Sequence, residues 1–289
     1  MRNSNIRGLL YCVLVYALTF GVCYFAHLFL ADGQPVLTIA ILDILATVVV
    51  FTFSVYANNS SVYDPYWSVV PPVIFTYWAI TVNEGTVISG RQILILLLVF
   101  IWGIRLTFNW IRRWKGMDDE DWRYQNFRNK FGKWYWPVSL MGIHLVPTLF
   151  VLLACIAVYP AIANPEPLAP VDSIASLIAL VAIIIEASSD RQLRRYLKDP
   201  GGQPFLSTGL WQYSRHPNYF GEILFWVGLF IFSLGVRPFP WWIIPGPAGM
   251  ILLFWFISLP MIDRRMLQKP GYEEYYRKTS GIIPWKQKK

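Results

Sequence analysis

The chain has 289 residues, of which 55% are hydrophobic, 17% aromatic and only 15% charged, where a soluble domain carries roughly 25% charged residues. The apolar residues fall in blocks long enough to cross a bilayer, which excludes a disordered, collagen-like or disulfide-stapled chain and points to an all-α integral membrane protein. The net charge of +8 reads first as membrane topology rather than as a nucleic-acid partner, because Lys and Arg collect on the cytoplasmic side of membrane proteins.

A spanning helix needs about 20 mostly apolar residues. Gly8 to Leu30 is uncharged and follows Arg2 and Arg7 with no small-residue cleavage site, so it reads as an uncleaved anchor. Val36 to Tyr56 follows, interrupted only by Asp43. Ser68 to Val82 is shorter and begins on Pro71-Pro72. Ile93 to Phe108, Pro137 to Ala163, Val171 to Ala187, Pro217 to Val236 and Pro240 to Ile262 complete a set of about eight. Without the short third span the count is seven.

Charge placement favours eight. Segments 105–136 and 188–216 and the tail from Arg264 hold 21 of the 25 basic residues. With eight spans and both termini cytoplasmic, all three face the same side. The segment Trp110 to Trp136, dense in Arg, Asp and Trp, reads as an interfacial layer at the headgroups. Cys12, Cys23 and Cys155 lie in apolar runs without metal-ligand spacing, and His27 and His144 have no second ligand near them, so no metal is expected. Asp43 is an acid inside a span with no partner at helical spacing, and it stays outside the expected site.

The polar residues that carry chemistry begin at the end of span six. Glu186, Asp190 and Arg194 are four apart and share a helix face, with Lys198 one turn further. Such a ladder either ends the helix in water or forms a polar wall for a charged ligand. Pro200-Gly201-Gly202 breaks the helix. The run Tyr213-Ser-Arg215-His216-Pro217-Asn218-Tyr219-Phe-Gly221-Glu222 then leads into span seven. Arg215 and His216 stand before a helix that Pro217 opens, where a cation and backbone N–H groups together would favour an anion. Asn218 and Glu222 are four apart, one turn inside. The tail adds Arg264, Arg265 and Tyr275, a candidate basic lid on the same face.

Residues 171–285 resemble the C-terminal half of the superfamily of steroid 5-alpha-reductases, sterol reductases and isoprenylcysteine carboxyl methyltransferases. The run from Gly209 to Glu222 and the tail Gly271-Tyr-Glu-Glu-Tyr … Ile-Pro-Trp285 are most similar to its steroid 5-alpha-reductase-like branch, often called DUF1295. Tyr63-Asp-Pro-Tyr-Trp67 and Trp102-Gly-Ile-Arg105-Leu are similar to short pieces of its N-terminal half.

The resemblance implies an NADPH-dependent reductase of a carbon–carbon double bond in a lipophilic, steroid-like enone, in a bacterial inner membrane or the endoplasmic reticulum. It also implies a cofactor cleft opening to the cytosol among the last four spans. Residues 1–110 would contribute the substrate pocket, 111–136 the interfacial segment and 137–289 the cofactor region. The implied cofactor residues are Glu186, Asp190, Arg194, Lys198, Tyr213, Arg215, His216, Asn218, Tyr219, Glu222, Arg264, Arg265 and Tyr275. Family reductases hold the substrate carbonyl with a carboxyl and a tyrosine, which implies catalytic roles for Asp64 and Tyr66. Two alternatives share the scaffold: an S-adenosylmethionine-dependent methyltransferase, and a non-enzymatic lipid-binding membrane protein. Asn218 and Glu222 favour the reductase, because an amide and a carboxylate meet the donor and acceptor needs of a nicotinamide carboxamide.

Overall fold

A computed structural model describes residues 2–30, 33–83, 87–164 and 166–287. Among these residues the regular structure is entirely helical. In chain order the α-helices are α1 Arg2–His27, α2 Pro35–Tyr56, α3 Tyr66–Asn83, α4 Gly90–Arg113, α5 Trp122–Phe131, α6 Tyr135–Val138, α7 Val146–Ile156, α8 Tyr159–Ala163, α9 Pro170–Lys198, α10 Pro217–Ser233, α11 Pro245–Leu252, α12 Leu259–Met266 and α13 Tyr272–Lys278. An isolated parallel bridge joins Ser214 to Ser280.

The protein is an all-α membrane protein. Each predicted span falls on helix, and among the described residues six stretches are long and apolar enough to cross a bilayer: Asn5–His27, Pro35–Tyr56, Gly90–Arg113, Trp122–Ala163, Pro170–Lys198 and Trp241–Met266. The predicted third and seventh spans are helices α3 and α10 but fall outside these six. The former carries Ser68, Pro71, Pro72, Thr76, Thr81 and Asn83 within 18 residues. The latter has 17 residues, a rise of about 26 Å against a hydrocarbon core of about 30 Å. Large apolar side chains such as Leu10, Val13, Leu14, Leu18 and Phe25 stand exposed along α1. In a bilayer that face meets lipid tails instead of water.

Two stretches widen into π-helix, Ser139–Leu145 and Leu253–Ser258. Both end just before a proline. Val146 N–H reaches back five residues to Met141 O ahead of Pro147, and Leu259 N–H to Phe254 O ahead of Pro260. Proline has no N–H to give and its ring displaces the carbonyl four residues back, so the preceding turn opens.

The chain divides into two compact units: 1–88 with 99–159, and 89–98 with 160–289. In the first, α1, α2, α3 and α7 pack around Tyr63, Tyr66 and Val50. Residues 117–135 are bound to the loop after α2. Glu120 Oε1 accepts from Ser60 N at 2.8 Å, Asn59 donates to Met117 O and Asp119 O, and Arg128 pairs with Glu120 while lying 4.0 Å from the Tyr135 ring centroid.

In the second unit α9 and α10 pack along a stripe of small residues. Ala175, Ala179 and Ala182 are fully buried. A Cβ added at Gly228 would lie 2.9 Å from Ala179 N, and one at Gly221 would lie 3.0 Å from both Ala182 O and Glu186 Cβ. Only glycine permits this approach, the usual way membrane helices gain dispersion contact. At the end of the pair remote from the polar run, Arg91 grips Asp172 through Nε–Oδ1 at 2.9 Å and Nη2–Oδ2 at 3.1 Å.

Candidate functional site

In the second unit the polar run after α9 folds back onto α9. Gly209 has φ +66°, a left-handed backbone that favours glycine. Gln192 Oε1 accepts from Leu210 N, and Trp211 Nε1 donates to Ser189 O. The tail then closes over the run. Arg215 N donates to Ser280 O, Trp285 N to Tyr213 O, and Ser214 Oγ to Ile282 O. The Tyr275 hydroxyl donates to Trp211 O, and burial pushes that phenol above its ordinary range.

Asp263 is the hub of this closure. Its Oδ2 accepts from Arg215 Nη2 at 2.9 Å; its Oδ1 faces Arg215 Nε at 3.3 Å, His216 Nε2 at 3.0 Å and the Tyr272 hydroxyl at 3.2 Å. Arg215 Nη1 donates to Tyr276 O and Thr279 O, and its guanidinium lies 4.0 Å from the Tyr276 ring centroid. The anion expected at Arg215 and His216 is therefore the chain's own Asp263. Backbone donors there are also committed, His216 N to Ser214 Oγ and Tyr219 N and Phe220 N to His216 O. Instead of standing as an open anion cradle, the Arg215 guanidinium and the His216 ring are met by a carboxylate inside the chain.

Around this latch, Tyr219 stacks on His216 at 5.3 Å and contacts Phe254. Asn218 Oδ1 is buried and has no hydrogen-bond partner. One turn on, Glu222 Oε1 accepts from Trp226 Nε1 at 2.9 Å. Glu186 and Asp190 are buried on α9, the former against Gly221. Arg194 is half-buried; Lys198, Tyr213, Arg264 and Arg265 are exposed.

In the first unit Asp64 and Tyr66 belong to different groups. Tyr124 donates to Asp64 Oδ1 at 2.6 Å. Burial pushes the Asp64 carboxyl up to about 6, against the pull of Arg123 and the Tyr124 bond. Tyr66 instead donates to Asp43 Oδ1 at 2.6 Å. Thr47 Oγ1 lies 3.1 Å from the Tyr66 hydroxyl, and both Tyr66 and Asp43 are buried. The carboxyl that meets Tyr66 is therefore Asp43, the acid left without a partner in the sequence, and not Asp64. Among the described residues no group of three His, Cys, Asp or Glu is placed to hold a metal ion.

The family described as "Protein of unknown function (DUF1295)" matches residues 50–279. The chain belongs to that family. An uncharacterised protein of Schizosaccharomyces pombe is 24% identical to this DUF1295 chain over 282 residues, which cover 89% of this chain and 81% of that one. The 3-oxo-5-alpha-steroid 4-dehydrogenase 1 of Homo sapiens is 32% identical over 108 residues, 37% of this chain and 38% of its own, and that of Macaca fascicularis 31% over the same share. The DUF1295 chain thus spans little more than a third of either dehydrogenase. No solved structure matches it.

Proposed function

We propose that this DUF1295 protein is a membrane reductase that transfers hydride from NADPH to the carbon–carbon double bond of a lipophilic, steroid-like enone. The observation that carries the cofactor is Asn218: a buried amide oxygen without a partner, on the face that Glu222 shares one turn later. A buried acceptor left unmade is costly, and a carboxamide N–H answers it. The similarity to two dehydrogenases named for 3-oxo steroids supports the substrate class.

When bound, NADPH supplies the hydride. Asn218 and Glu222 are assigned to orient the nicotinamide, with the Glu222 carboxylate aimed by Trp226. Arg264, Arg265, Arg194 and Lys198 are the cations assigned to phosphate. Arg215, His216 and Tyr275 hold the loop and act as positioning residues. Tyr66 and Asp43 are assigned to the substrate carbonyl oxygen, which gains negative charge as hydride reaches the β-carbon and whose α-carbon then takes a proton. The carbonyl role lies with the first unit and the cofactor role with the second, and each is tested by itself.

Asn218→Ala is expected to weaken NADPH binding by about 1–3 kcal/mol, the usual cost when a buried hydrogen bond loses one partner. Titration of nicotinamide fluorescence with detergent-solubilised protein measures it. Wild-type affinity in a folded Asn218→Ala variant would remove Asn218 from the site.

A further inference from the structure

Helix α9 has two faces. On the inner one Ala179, Ala182, Glu186 and Asp190 are buried, and Ala179, Ala182 and Glu186 lie against the glycines of α10. On the outer one Ile174, Leu177, Val181 and Ile184 are exposed. Their spacing of three and four residues makes one stripe along the helix, and in a bilayer that stripe meets lipid tails. Continued at the same spacing through Ser188, it arrives at Arg191 and then Arg195, both exposed. Arg191 is seven residues beyond Ile184, which is seven beyond Leu177, so the three share a face.

Depth places the two arginines at the headgroups. Near the start of α9, Asp172 is answered by Arg91 at 2.9 Å. From Asp172 to Arg191 the helix rises about 29 Å, against a hydrocarbon core of about 30 Å. An arginine at that level carries its guanidinium into the phosphate layer, on the side where lipid is the neighbour. The pair has no acid of its own at helical spacing. The residues three and four away from Arg191 are Ala187, Ser188, Arg194 and Arg195, and the acid four after Arg195, Asp199, accepts from Gly201 N at 3.3 Å. Like charges four apart on an exposed helix face repel, and a phosphate between them turns that repulsion into attraction. Lys198 continues the face one turn further out.

We propose that Arg191 and Arg195 form a docking site for the phosphate of an anionic phospholipid in the leaflet beside α9. Each guanidinium presents N–H donors in a planar fork that matches phosphate oxygens, and the stripe from Ile174 to Ile184 receives the acyl chains. Neither arginine is among the residues assigned to NADPH, so the site stands or falls apart from the reductase chemistry.

The test uses the full-length protein in nanodiscs of phosphatidylcholine alone and of phosphatidylcholine with phosphatidylglycerol in equal parts, released into detergent for native mass spectrometry. Wild type should retain phosphatidylglycerol over phosphatidylcholine. Arg191→Gln and Arg195→Gln should each lower that retention about fivefold, the worth of one basic residue at an anionic leaflet. Melting temperature and NADPH affinity in phosphatidylcholine alone should stay at wild type. Arg277→Gln and Lys278→Gln remove exposed cations already paired with Glu273 and Glu274, and they should leave retention unchanged. An equal loss in those two, no preference for phosphatidylglycerol in wild type, or full retention in the double variant of Arg191 and Arg195 overturns the proposal. Displacement of the lipid by inorganic phosphate or by NADPH also overturns it, since the arginines would then serve a soluble phosphate.

Discussion

Replacing Tyr66 with phenylalanine is expected to lower turnover about 10²–10³-fold, the usual loss when one donor to a developing oxyanion is removed. The ring would keep its place against Tyr63, and NADPH affinity would be unchanged, because the lost bond matters only in the transition state. Asp43→Asn tests the other half of the pair. It keeps the shape but replaces the carboxylate that accepts from Tyr66, so turnover should fall while the cofactor still binds. Asp64→Asn should be far milder, since Asp64 is engaged with Tyr124 of α5 and not with Tyr66. Steady-state NADPH oxidation with an enone lipid panel reads all three. Full turnover in both Tyr66→Phe and Asp43→Asn would move the carbonyl donor elsewhere.

Asp263→Ala is the second large effect. The carboxylate answers the buried Arg215 guanidinium, faces His216 Nε2 and accepts from the Tyr272 hydroxyl as well. Removing one side of a buried pair leaves the other uncompensated and costs about 3–5 kcal/mol. Thermal unfolding in detergent should show a marked fall in Tm, and limited trypsin digestion should cut after Arg277 or Lys278 in the native preparation. Asp263→Asn should lie between, since an amide accepts one bond but carries no charge. A wild-type Tm and an uncut tail in Asp263→Ala would mean that the latch contributes little.

The spans were legible in the sequence because a bilayer demands long apolar runs, and the Arg215–Glu222 run stood out because polar residues there interrupt them. Pairings across the chain were not. Asp263 meets His216 from 47 residues away, and nothing in local spacing marks it above its neighbours Arg264 and Arg265, which are exposed. Arg215 and His216 meet a carboxylate from within the chain, where the sequence suggested an anion from a ligand. Asp43 is visible as a costly acid inside a span, whereas its partner lies on another helix, and the family resemblance put Asp64 beside Tyr66 instead. The Thr47–Thr148 contact spans 101 residues and depends on a π turn whose only local sign is Pro147. Helical periodicity reports which residues share a face; it carries no record of which faces meet.

The central claim is hydride transfer from a nicotinamide to a lipophilic enone, and isotope transfer tests it most directly. Purified protein is incubated with NADPH deuterated at the transferable position of nicotinamide C4 and a 3-oxo-4-ene steroid, with S-adenosylmethionine in a parallel reaction, and the products are read by mass spectrometry. The account predicts a saturated ketone carrying one deuterium at the β-carbon and no methylated product. A methylated lipid, or a steroid recovered unreduced across the enone panel by protein that binds S-adenosylmethionine and not NADPH, would contradict it.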